Sequence, residues 1–151
     1  MTSLTLALLL QLTTLSSDVH SYAEAYRIHK ETGRPLVVLV GADWCPACRS
    51  MKQSTMPSVI RSGGLDDVVY VEVNVDRQSS LAHRITGGGA IPQLVMYYTA
   101  EEGAKRVKVV GAQGIEGVRG FVSRGVDVNA AVLSKRHESG RKERPAGLTL
   151  P

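Results

Sequence analysis

Cysteine is scarce in this chain: 151 residues hold two, Cys45 and Cys48, with only two residues between them. That scarcity excludes the framework of small secreted domains, in which several cross-links closing longer loops stand in for a core. A structural zinc site is excluded too. Zinc prefers four ligands, and no second Cys-x-x-Cys or His-x-x-x-His accompanies the first pair; His20, His29, His83 and His137 stand singly. Long apolar runs are also missing. The leucine-rich stretch at residues 4–15 is too short and too interrupted by hydroxyl residues to span a membrane. A net positive excess is lacking over most of the length: of the net +4, three charges come from residue 134 onward, where Lys135, Arg136, Arg141, Lys142 and Arg144 outnumber Glu138 and Glu143. That segment has no aromatic residue to stack on a base, and nucleic acid is not an expected partner.

What remains is an ordinary one-domain composition, 43% hydrophobic and 21% charged. Residues 1–17 carry no charge and resemble the apolar core of a secretory signal, with Thr14 and Ser16 as small residues around a cleavage point. Within residues 1–17 no Lys or Arg follows Met1 and no Ala-x-Ala occurs, so an extra N-terminal helix docked on the domain is the alternative. The chain thus divides into an apolar segment at 1–17, a domain at 18–127 and a basic tail at 128–151 expected to be disordered.

Within the domain the elements are well marked. Ser21 and Glu24 form a capping box, Tyr22, Ala25 and Tyr26 share a helical face, and Gly33 and Pro35 stop the helix. Residues 36–40 are a continuous apolar run, the signature of a strand buried on both faces. A helix opens at Pro46, carries Ala47 and Met51 inward, and should kink or break near Pro57. Val69, Val71, Val73 and Val75 alternate with polar or aromatic residues as a second strand. A short helix at 80–85 bears His83, which reads as a surface residue. The glycines Gly87, Gly88 and Gly89 supply loop freedom; a phosphate cradle would need a preceding strand and a following helix. Residues 94–98 form a third strand, Glu101-Glu102-Gly103 a turn, and residues 107–110 its hairpin partner. A closing helix spans about 115–124, and beyond Gly125 the apolar pattern fades. This order, α-β-α-β-α-β-β-α, predicts an α/β fold with helices on both faces of a mixed four-stranded sheet.

Disulfide exchange needs an attacking thiolate and a second thiol close enough to release the mixed disulfide. With Pro46 as the first helical residue, Cys45 falls at the N-cap, where unpaired N–H groups and the helix dipole favour negative charge. Such placement brings a thiol from ~8.5 to ~7 or below. Cys45 is therefore the expected nucleophile, and Cys48, one turn in, the resolving thiol.

These residues resemble the thioredoxin superfamily over roughly residues 21–125. The resemblance rests on Pro35 opening an apolar strand, Trp44-Cys45-Pro46-Ala47-Cys48 at the next helix start, Val73-Asn74-Val75-Asp76 closing a strand, and Ile91-Pro92 before another. It implies a three-layer α/β/α sandwich and a protein-disulfide oxidoreductase. It implies further that Pro92 is cis against the dithiol, that the Ile91 backbone pairs with an extended substrate segment, and that Trp44 lies beside the active surface. An ordinary trans proline at a strand start is the plainer alternative for Pro92. Supporting roles fall to Trp44, Pro46, Ala47, Ile91 and Pro92, with no metal and no cofactor. Partners would be proteins bearing thiols or disulfides, plus a redox partner.

Two departures stand out. Many thioredoxins carry an acidic residue within the first buried strand; residues 36–40 have none, and Asp43 is expected at the surface. Pro46-Ala47 replaces the usual Gly-Pro, and the residues between the cysteines tune redox poise. The helix followed by Gly33-Arg34-Pro35 looks like thioredoxin-like proteins of bacterial envelopes, so an extracytoplasmic location is expected, with the cytoplasm as alternative. A copper-handling module using both thiolates, or an adaptor without turnover, are the rival functions.

Overall fold

Ser21 caps the first described helix: its Oγ accepts the N–H of Glu24 at 3.2 Å and opens α1 (Tyr22–Thr32), which Gly33 closes in the left-handed conformation at φ 72°. The computed structural model describes residues 21–142; the apolar segment at 1–17 and its cleavage reading lie outside them. β1 (Leu36–Gly41) follows, with all six residues buried. Full burial of such aliphatic side chains contributes roughly 1.5–3 kcal/mol each.

The second helical stretch is three pieces end to end: α2 (Pro46–Ser50), a π turn (Met51–Thr55) and α3 (Met56–Arg61). The expected disturbance near Pro57 thus falls in the turn before it. A proline ring clashes with the carbonyl four residues earlier, here that of Gln53, and a wider turn gives that carbonyl room. Within it the Met56 N–H reaches back five residues to the Met51 carbonyl.

β2 (Val69–Asn74) alternates buried and half-buried residues. α4 (Ser79–Thr86), β3 (Gln93–Ala100), β4 (Gly103–Val110) and α5 (Ile115–Lys142) complete the chain. The sheet order is β2-β1-β3-β4, with β1 parallel to β2 and the other pairs antiparallel. One face packs Val37, Leu39, Leu94 and Met96 against Met51, Met56, Val59, Val118, Phe121 and Val122, from the broken helix and α5. The other packs Leu36, Val38, Val40, Val71 and Val95 against Ala25, Ala82 and Ile85, from α1 and α4. This is the mixed-sheet α/β/α sandwich of the thioredoxin fold.

The C-terminal expectation needs correcting. The helix does not end near residue 124, nor is the segment from 128 irregular as far as Lys142, because α5 runs 28 residues. Gly125 is a crossing point, not a stop: a Cβ there would overlap the Met96 thioether. Past it, Asn129 is buried, accepting the Thr99 N–H at 2.9 Å and donating to the Gly33 carbonyl at 3.0 Å. Val132 is buried one turn further on. One buried amide bridging two backbone groups is too sparse a signal for periodicity to register.

Candidate active site

The end of β1 delivers the chain to the site. Gly41 is required there by close approach, since a Cβ would stand 3.0 Å from Cys48 Cβ and 3.1 Å from its Sγ. Cys45 then takes extended backbone angles (φ −82°, ψ 115°) and caps α2, with Pro46 in the first turn. Its Sγ accepts the Cys48 N–H at 3.2 Å, so the sulfur occupies the place of an N-cap oxygen. The two cysteines are joined by a disulfide, their Cα atoms 5.2 Å apart. They are unequal in access: Cys45 is 6% exposed and Cys48 0%. Ala42, Ala47, Val75 and Ile91 pack around the pair.

The Ile91–Pro92 peptide bond is cis, and the Ile91 carbonyl oxygen lies 4.0 Å from Cys45 Sγ. The loop leading to it is held from behind. Gln93, fully buried, donates from Nε2 to the carbonyls of Gly88 (3.0 Å) and Ala90 (2.9 Å), and Thr86 Oγ1 accepts the Gly88 N–H at 3.0 Å. Gly87, Gly88 and Gly89 all have positive φ (73°, 82° and 96°), a run that residues with a Cβ would not tolerate. From β4, Arg106 and Lys108 donate to the Ile85 (3.1 Å) and Thr86 (2.7 Å) carbonyls and so fix the C-terminal end of α4.

A groove of about 570 Å³ runs beside Cys45 between the start of α2, α4 and this loop. Trp44, Pro46, Val75, Ala82 and Ile91 give it an apolar lining, and His83 is the one titratable side chain in that lining besides Cys45. Trp44 is 65% exposed, with its indole N–H donating to Asp76 Oδ2 at 3.0 Å. Asn74 Oδ1 in turn accepts the N–H groups of Asp76 and Arg77 at 2.9 and 3.2 Å, a tight turn that aims Asp76 at the indole.

A charged cluster joins the segment before α2, the π turn and β2. Asp43 is exposed, as its position in the chain suggests, and pairs with Arg77 at 2.6 Å and Lys52 at 3.7 Å. Lys52 Nζ also meets Glu72 Oε2 at 3.0 Å, and Tyr70 donates to Glu72 Oε1 at 3.0 Å. Burial, reinforced by that carboxylate, pushes the Tyr70 hydroxyl well above the usual phenol range.

Trp44, Cys45, Pro46, Ala47, Cys48, Ile91 and Pro92, singled out from sequence, therefore converge within one patch. Sequence reasoning missed Gly41, Val75, Ala82 and Gln93, and the bond from Trp44 to Asp76. An apolar face on α4 was a usable signal for Ala82; the others become visible only once strands are in register. No cluster of metal-ligating side chains occurs among the described residues.

A family model described as Thioredoxin-like matches residues 18–98. A thiol:disulfide interchange protein DsbD from Ralstonia nicotianae is 30% identical over 103 residues, covering 66% of this chain and 17% of its own, so the chain spans about a sixth of that relative. Among solved structures, Trichomonas vaginalis thioredoxin superposes with a TM-score of 0.54 at 26% identity, over 68% of this chain and 87% of that one. A thioredoxin from Thermus thermophilus gives 0.58 at 22% identity, over 70% and 83%. These likenesses, with the Cys45–Cys48 pair, support thiol–disulfide oxidoreductase chemistry at the level of the family. By fold, by dithiol and by a matching model over more than half its length, the chain belongs to the thioredoxin-like family.

Proposed function

We propose that this protein exchanges disulfides with protein substrates through Cys45 and Cys48. One observation carries the assignment of roles: the sulfur at the helix mouth borders an apolar groove, while its partner is sealed beneath it. In the reduced protein, the Cys45 thiolate attacks a substrate disulfide, forming a mixed disulfide and expelling one substrate sulfur as thiolate. The Cys48 thiolate then attacks Cys45 Sγ, the second substrate sulfur leaves, and the Cys45–Cys48 disulfide remains. Two electrons have passed to the substrate, and a dithiol partner must return them. Run backwards, the same steps oxidise a substrate dithiol.

The groove supports an extended polypeptide as substrate. Main-chain pairing along Ile91, whose carbonyl lies 4.0 Å from the reacting sulfur, would set a substrate cysteine against Cys45 while Trp44 and Val75 take its apolar neighbours. An extracytoplasmic setting belongs to the same proposal, supported by the uncharged apolar segment at 1–17 and by the likeness to a thiol:disulfide interchange protein.

Reduction of insulin by a dithiol donor tests the assignment. Wild type is expected to accelerate it, Cys45→Ser to return it to the uncatalysed rate, and Cys48→Ser to stop turnover while retaining substrate as a mixed disulfide. Equal rates for wild type and Cys45→Ser would sink the proposal.

A further inference from the structure

Ile91 can pair with a substrate only if the loop presenting it keeps one shape, and the loop sequence does not impose one. Gly87, Gly88 and Gly89 have no side chains to restrict them, all three adopt positive φ, and a Cβ at Gly87 would meet nothing within 4 Å. The end nearer α4 is tied to that helix: the Gly87 N–H donates to the His83 carbonyl at 2.7 Å, and the Gly88 N–H to Thr86 Oγ1 at 3.0 Å. The end nearer Ile91 is tied by Gln93, whose Nε2 donates to the carbonyls of Gly88 and Ala90 and lies 3.7 Å from the Gly89 Cβ position. Two carbonyl acceptors fix the orientation of the amide, nitrogen toward the loop. Its oxygen is left buried, and among the described residues no donor reaches it. A buried acceptor without a partner costs stability, whereas Gly88 is half-buried and Ala90 exposed, so water can serve their carbonyls. Packing alone would therefore favour an apolar side chain of equal length at this position. The Gln93 backbone is held between two strands, opposite Val40 in β1 and Val110 in β4. Val40 leads directly into Gly41, against which Cys48 packs, so one rung of the sheet carries both the floor under the sulfurs and the anchor of the loop.

We infer that Gln93 is a positioning residue for polypeptide substrates: its side-chain amide holds the 87–91 loop so that the Ile91 backbone stands ready for an extended chain beside Cys45. The inference rests on the exchange reaction proposed above. Gln93 acts on the loop and not on the sulfurs. It removes in advance the freedom that the loop would otherwise lose when a substrate strand pairs with Ile91. Cys45 owes its reactivity to its place at the mouth of α2, a different element. A disulfide too small to use the loop is therefore indifferent to Gln93, and the residue separates polypeptide disulfides from small ones.

Two disulfides with the same leaving group test this: 5,5′-dithiobis(2-nitrobenzoate), and an unstructured peptide whose single cysteine carries thionitrobenzoate. Each releases the coloured thiolate when the reduced protein attacks, and stopped-flow absorbance gives the rate. Gln93→Met keeps the length of the side chain and loses both donors. Its half-saturating peptide concentration should rise about tenfold, with the maximal rate within about twofold of wild type. Its rate with the small reagent should also stay within about twofold. Gln93→Asn, whose amide is one methylene short of the two carbonyls, should fall between, and it carries the test if the Met variant does not fold. Half-saturation unchanged in these variants overturns the inference, as does a loss shared equally by the peptide and the small reagent. Wild-type rates with both disulfides no faster than those of a free cysteine would instead remove the exchange reaction itself.

Discussion

The two flanks of the dithiol are built from opposite materials. On the α4 side stand apolar side chains and three successive glycines, with His83 the one titratable group in the groove besides Cys45. Over the broken helix and β2, Asp43, Lys52, Glu72, Tyr70 and Arg77 form a connected polar cluster. An apolar wall with free backbone is suited to receiving a polypeptide, whose own main chain is the one feature every substrate shares. A charged cluster is a poor receptor for apolar residues, but it can hold and move protons. Cys45 borders the first of these regions, while Cys48 is sealed from solvent among apolar neighbours.

The floor common to both flanks offers the largest effect. Gly41→Val places branched carbon where Cys48 already stands at 3.0–3.1 Å, and should cost about 1–3 kcal/mol of stability in urea unfolding, with Gly41→Ala less severe. A loss below measurement error would mean that the cysteine is free to move aside. Next comes a charge on the receptive flank. Ile91→Asp should lower kcat/KM for insulin about tenfold, roughly 1.4 kcal/mol, while reaction with a small aromatic disulfide changes far less. Equal losses for both substrates would erase the distinction between binding wall and reacting sulfur.

The smallest effect belongs to the phenols. Tyr70 is pushed up by burial and Glu72, and Tyr22 is pushed up to about 12 by burial and its neighbours Tyr97 and Tyr26. A raised folded-state value means that the unfolded chain gives up protons first, from near pH 10. The stability these hydroxyls contribute is therefore fully present below pH 10 and declines as pH rises from there toward the folded values. Tyr70→Phe should flatten the decline seen in urea midpoints between pH 9 and 11.5; an unchanged slope would assign it to other groups.

Features written locally were legible in the chain. The capping serine of α1, the five aliphatics of β1, the alternating valines of β2 and the spacing of Cys45 and Cys48 each declare themselves within a few residues, because helix and strand periods act over that range. Features made by two distant segments meeting were not. Met51 and Met56 are both buried although five residues apart, about 140° around a regular α-helix; the π turn reconciles them, and no period-3.6 reading anticipates it. Gly125 has the look of a terminator until Met96 is found beneath it. Glu72 and Lys52 are twenty positions apart, unremarkable in sequence, and face one another only because the broken helix packs over the sheet that holds β2.

The indole beside Cys45 has an experimental consequence of its own. The chain contains a single tryptophan, and it is the residue immediately before the reacting cysteine, largely open to water and tethered by one hydrogen bond to Asp76. Emission excited selectively at the indole thus originates at one spot, adjacent in the chain to the reacting sulfur. The molecule carries its own optical gauge, and redox titrations or partner binding can be followed without attaching a dye.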